Sequence, residues 1–133
     1  MSHHFTLRVY YEDTDLAGIV YYANYLKFIE RARTEWVRGL GIDQSTLKSA
    51  GGLVFAVRRV EVDYLKPARF DDELRVETRL ASLSPARILL DQDIFRVDDK
   101  LTTARVTLVC LTATGRAARL PADIRRRLAA LAP

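Results

Sequence analysis

The chain contains a single cysteine, Cys110, so no disulfide can form within it. That residue stands in the apolar run Val106-Thr107-Leu108-Val109-Cys110-Leu111, with nothing nearby to lower the thiol pKa. A buried, inert thiol is expected there rather than a nucleophile. Histidine is almost as scarce: His3 and His4 are the only two, and neither has a partner at ligand spacing, so no metal site is expected. Long apolar runs are missing as well. None approaches the ~20 residues that span a bilayer, and no signal-peptide pattern precedes the first strand, so a cytoplasmic protein without a transmembrane segment is expected. The only dense basic cluster, Arg116 to Arg127, holds no aromatic residue to stack on bases, and elsewhere acids alternate with bases. Nucleic acid is therefore not an expected partner. The net charge of +4 suits a phosphorylated small molecule instead. Repeats, low-complexity tracts and linkers are also absent, which leaves residues 1–133 as one domain.

What the chain does contain is the balance of a globular protein, 49% hydrophobic and 29% charged residues. Phe5 to Tyr11 alternates apolar with polar residues and predicts a first strand, followed by an acidic loop from Glu12 to Gly18. The period then changes. Tyr25, Ile29, Ala32, Trp36 and Leu40 recur at spacings of three and four, predicting one long amphipathic helix over Tyr22–Leu40, bracketed by Gly39 and Gly41. A short helix is expected from Asp43, as N-cap, to Ala50, stopped by Gly51-Gly52. Four strands follow: Arg59–Tyr64, Leu74–Leu80, Arg87–Val97 and Leu101–Thr114. Ser84-Pro85-Ala86 and Asp98-Asp99-Lys100 supply turns, and Pro121–Leu131 a terminal helix. This order is that of an α+β domain, one long helix laid on a five-stranded antiparallel sheet. One helix cannot cover both edges of such a sheet, so a homodimer or homotetramer is expected.

The informative segment runs from Tyr10 through Glu12-Asp13-Thr14-Asp15-Leu16-Ala17-Gly18 to Tyr25. It sets carboxylates in a loop immediately ahead of a helix N-terminus, whose free N–H groups carry about half a positive charge. Such N–H groups stabilise the oxyanion that develops when a carbonyl is attacked. A carboxylate is already ionised at pH 7, and it can attack a thioester or activate water without a Ser-His-Asp relay. Acids before a helix also serve as caps and turn formers. Glu12, as a continuation of the strand, and Asp13, as a brace of the turn, fit that role better than Asp15 does. Tyr11 is expected to pack as a strand aromatic.

The stretch Asp13 to Tyr25 resembles the signature of the 4-hydroxybenzoyl-CoA thioesterase family of hotdog proteins. Glu30-Arg31-Ala32-Arg33-Thr34-Glu35, Val57-Arg58-Arg59-Val60 and Tyr64 to Asp72 resemble its Tol–Pal-associated acyl-CoA thioesterase branch. The likeness runs in order from Val9 to Leu111. It implies a hotdog fold, a five-stranded antiparallel sheet wrapped around one long helix, and hydrolysis of short-chain or aromatic acyl-CoA with no cofactor beyond the CoA of the substrate. It also puts the catalytic aspartate at Asp15 and the oxyanion donor at the Tyr22 backbone N–H. Tyrosine at position 22 follows the hydroxybenzoyl branch, where the Tol–Pal branch often has histidine, so no histidine acid–base role carries over. Arg58, Arg59 and Arg87 are the candidates for holding CoA phosphates. An association with Tol–Pal or with phospholipid metabolism is implied by the resemblance alone. The rival readings are an acyl-carrier-protein thioesterase, a dehydratase (disfavoured by the lack of histidine after His4), and a non-catalytic protein that binds acyl-CoA or an envelope partner.

Overall fold

A computed structural model describes residues 2–132. In chain order the elements are β1 (His3–Arg8), α1 (Asn24–Gly39), α2 (Gln44–Gly51), β2 (Leu53–Tyr64), β3 (Glu73–Leu83), β4 (Arg87–Arg96), β5 (Asp99–Thr112), β6 (Ala117–Ala118) and α3 (Ala122–Ala129). The sheet is antiparallel with strand order β1-β3-β4-β5-β2, and β6 adds a two-residue sixth strand against β5. This is the expected α+β arrangement, a sheet curved around a single long helix.

The helix buries Tyr25, Phe28, Ile29, Ala32, Trp36 and Val37, the face marked by the spacing of apolar residues. Opposite it lie the inward residues of the three central strands. These include Leu74, Val76 and Leu80 on β3, Ile88, Leu90 and Ile94 on β4, and Val106, Leu108 and Cys110 on β5. Burial raises the Cys110 thiol pKa, as expected for an inert core cysteine. The helix ends because Gly41, at φ 78°, turns the chain left-handed. The Gly41 N–H then bonds the Arg38 carbonyl and the Ile42 N–H the Val37 carbonyl. At α2 the expected cap is present, with the Asp43 carboxylate accepting from the Ser45 and Thr46 N–H groups.

Several boundaries differ from the sequence reading, and some of them bear on the site or the sheet. β1 stops at Arg8 rather than Tyr11, because Val9 exchanges backbone bonds with Asp71 and Asp72 and the next residues wind into one 3-10 turn, Tyr11–Asp13. Glu12 therefore does not continue the strand, and Tyr11 is no packed strand aromatic: its ring is 84% exposed and meets only the edge of Phe70. β2 starts at Leu53, and a bulge between Val57 and Arg59 leaves Arg58 out of register. The β4–β5 turn is centred on Val97 and Asp98, so Asp99 and Lys100 already belong to β5. Finally, α1 begins at Asn24, two residues later than the periodicity implied, since Tyr22 and Ala23 form a turn first.

Candidate active site

The loop that carries Asp15 is fixed from both ends by backbone bonds. Asp13 anchors the entry: its carboxylate accepts from the Tyr10 N–H at 2.8 Å, and its carbonyl accepts from the Tyr21 N–H and the Asn24 side-chain amide, each at 2.9 Å. Asp13 thus braces the turn, as its position suggested. Thr14 and Val20 form an isolated bridge, and the Asp15 N–H bonds the Ile19 carbonyl at 2.9 Å. The tip closes through Gly18, whose φ of 79° is a conformation that side chains resist and whose N–H donates to the Asp15 carbonyl. On the outer side, the Val20 N–H donates to the Ala68 carbonyl, and the Ala68 N–H donates to the Tyr25 hydroxyl at 3.0 Å. Residues far apart in the chain thereby hold one short loop against the start of α1.

Within this frame one oxygen of the Asp15 carboxylate accepts from the Ala17 N–H at 2.9 Å. The other oxygen has no donor among the described residues. The carboxylate lies close enough to raise the pKa of two tyrosine hydroxyls. At Tyr25 burial is the largest cause and Asp15 adds to it, while at Tyr21 the neighbouring Tyr22 leads, burial follows and Asp15 contributes again.

The start of α1 has no side-chain cap, since Ala23 stands at the N-cap position and offers no acceptor. The Asn24 N–H is used by the Tyr21 carbonyl and the Leu26 N–H by the Ala23 carbonyl. The Tyr22 and Ala23 N–H groups have no acceptor among the described residues. Free N–H groups at a helix start are donors for an anion or a polarised carbonyl. Beside them opens a cavity of about 260 Å³ between the Ile19–Val20 arm, Tyr22, Tyr25 and the Tyr64–Pro67 segment. Three tyrosines, Tyr22, Tyr25 and Tyr64, share its walls with aliphatic residues. The Tyr64 ring meets Tyr25 at 5.4 Å and the edge of Tyr22 at 6.2 Å between centroids. A carboxylate with one unengaged oxygen, free N–H donors and a largely apolar recess are the parts of an acyl-transfer site.

The three arginines named from the sequence do not join this cluster. Arg59 pairs with Glu61 at 3.4 Å on the sheet face turned away from α1, and Arg58 occupies the bulge. Arg87, at the exposed start of β4, neighbours Val109 of β5, which on its other side faces Ala56 of β2. All three thus lie over one stretch of β4, β5 and β2, and none touches the Asp15 loop. The sequence reading missed Tyr25 and Tyr64 as site residues. Their only linear signal is an aromatic at the end of a strand and one in the first turn of a helix, a pattern that core packing also produces.

The sequence matches the thioesterase-like superfamily over residues 9–128. It is 45% identical over 107 residues to an acyl-CoA thioesterase YbgC of Haemophilus influenzae, covering 80% of this chain and 79% of the relative. It is also 32% identical to a 1,4-dihydroxy-2-naphthoyl-CoA hydrolase of Thermosynechococcus vestitus, over 77% of this chain and 71% of that protein. Among solved structures, a probable thioesterase from Bartonella henselae superposes with a TM-score of 0.88 at 39% identity, covering 91% of this chain and all of its own. Fold and relatives agree, and the chain belongs to the thioesterase-like superfamily with the hotdog fold.

Proposed function

We propose that this chain hydrolyses acyl-CoA thioesters at the Asp15 loop, with the Asp15 carboxylate as base or nucleophile and the Tyr22 N–H as oxyanion donor. Thioester hydrolysis is the activity that its relatives' names carry. The observation behind the residue roles is the pairing of a carboxylate with one unengaged oxygen and an uncapped helix start beside an apolar recess. In the reaction the thioester carbonyl oxygen takes up charge against the N–H donors. Asp15 either attacks the carbonyl carbon, expelling the CoA thiolate and leaving a mixed anhydride that water then hydrolyses, or removes a proton from a water that attacks the carbonyl and expels the thiolate. Either route needs the carboxylate ionised and rigidly placed, and the bonds around the loop provide that placement.

The tyrosine-walled recess supports short-chain or aromatic acyl groups. The segments Glu30–Glu35 and Tyr64–Asp72 support placement in the Tol–Pal-associated branch, and with it an envelope or phospholipid-metabolism context on the cytoplasmic side, where acyl-CoA is made. Arg58 and Arg87 are free to meet CoA phosphates, and Arg59 would join them on leaving Glu61. A second copy is expected along β2, where Val57, which lines the groove beside α1, and Val60 are 45% and 37% exposed.

Steady-state hydrolysis of butyryl-CoA and benzoyl-CoA tests the assignment. Asp15→Asn should lower kcat by about a hundredfold or more. Undiminished turnover in that variant would remove Asp15 from the mechanism.

A further inference from the structure

Beyond Asp15 and Tyr22, one group at the site is engaged in a way that packing alone does not require. The Tyr64 hydroxyl donates a hydrogen bond to the Tyr22 carbonyl oxygen at 3.1 Å, reaching from the end of β2 to the turn before α1. That carbonyl and the Ala23 N–H belong to the same planar peptide unit. A bond accepted at the oxygen fixes the plane of the unit and draws electrons away from its N–H, making that N–H a stronger donor. The preceding unit is arranged alike, since the Tyr21 carbonyl accepts from the Asn24 N–H at 2.8 Å and the Tyr22 N–H is left free. The first of these supports comes from the helix itself. The second comes from a side chain on another element.

We infer that Tyr64 is a positioning residue of the oxyanion site, holding and polarising the Tyr22–Ala23 peptide so that the Ala23 N–H acts as a second oxyanion donor. This inference rests on the acyl-CoA hydrolysis proposed for the same site. The phenol is suited to the task. Burial is the main cause raising its pKa, with Tyr22 and Tyr25 adding to it, so the hydroxyl keeps its proton at neutral pH and remains a donor. Its ring is held between the rings of Tyr22 and Tyr25, which limits where the hydroxyl can swing. Since 46% of Tyr64 is exposed, loss of the hydroxyl alone leaves the core untouched.

Tyr64→Phe keeps the ring and removes only this bond. With benzoyl-CoA, kcat should fall by about tenfold, a fraction of the loss seen when an oxyanion donor is removed outright, while KM stays within about twofold. Site-specific 3-fluorotyrosine at position 64, a stronger donor, should raise kcat above that of Tyr64→Phe to at least the wild-type value. A kcat equal to wild type in Tyr64→Phe, or a loss carried entirely by KM, would overturn the positioning role. The free enzyme gives a second readout. The Ala23 amide proton resonance should move upfield in Tyr64→Phe, and an unmoved resonance would count equally against the inference. Because that shift is read without substrate, it separates this inference from the hydrolysis reading, which Asp15→Asn tests in the same assay.

Discussion

Gln92 shows how much of this molecule is decided by one side chain. It lies wholly buried under α1, where its strand neighbours Leu90 and Ile94 are aliphatic. Its amide donates to the Ile29 carbonyl at 2.9 Å and the Thr78 hydroxyl at 3.0 Å, and its oxygen accepts from Arg33 at 3.0 Å. Burial lowers the Arg33 pKa and Glu30 opposes that shift, while Gln92 gives the buried guanidinium a hydrogen-bond acceptor. Gln92→Leu has similar volume but leaves the Arg33 donor without this partner. Urea unfolding should show a loss of about 1–3 kcal/mol. A leucine variant as stable as wild type would mean that water replaces the amide fully. Alternation puts Gln92 on the inward face with Ile88, Leu90 and Ile94, but nothing in the linear pattern of Arg87–Val97 names Arg33 as its partner. Asp15, by contrast, is legible as a candidate because it stands in the contiguous acidic loop Glu12 to Gly18 ahead of a helix. Tyr25 and Tyr64 are not, since their roles depend on where β2 and Ala68 arrive in space.

At the level of elements, alternation and helical period identify every long strand and all three helices, because each buries one face against the same core. Their ends are set differently. β1 ends where Asp72 captures Val9, and α1 starts where Asn24 is held by Asp13, and both contacts join parts of the chain that periodicity treats separately. The β4–β5 connection was misplaced for a related reason. Its first turn residue is Val97, β-branched yet at φ 55° and 75% exposed, where Asn or Gly is the usual occupant. The turn is held in place by its flanking strands and by Arg75, which donates to the Val97 carbonyl at 3.1 Å. Val97→Asn should relieve the backbone strain and stabilise the protein by about 1 kcal/mol, seen as a higher Tm. A lower Tm would show that the valine side chain contributes contacts that outweigh the strain.

At the scale of the whole molecule, the two faces and two edges of the sheet differ in kind. The outer face is polar and internally paired: Arg105 meets Asp91 at 2.9 Å, and the buried Asp93 accepts from Thr103 at 2.6 Å with Arg79 and Lys100 nearby. Such a face favours water. The β2 edge combines unpaired backbone with exposed valines, so the proposed dimer grows the sheet there. Val60→Lys should shift sedimentation from dimer toward monomer while the circular dichroism spectrum keeps its shape. An unchanged sedimentation coefficient would move the interface elsewhere. No helix among the described residues is long and apolar enough to cross a membrane.

The order of strands also governs when the protein becomes competent during synthesis. β1 pairs with β3, Phe5 lying opposite Val76, and the Asp15 loop is tied to Ala68 through Val20 while Val9 ahead of it bonds Asp72. These partners leave the ribosome long after Asp15 does, and β5, which joins β4 to β2, leaves later still. Contacts so distant along the chain close slowly. A nascent chain halted before β5 would therefore hold α1 against β1, β3 and β4 alone, with β2 still unpaired, so the complete sheet and cooperative folding should appear together, once β5 has emerged.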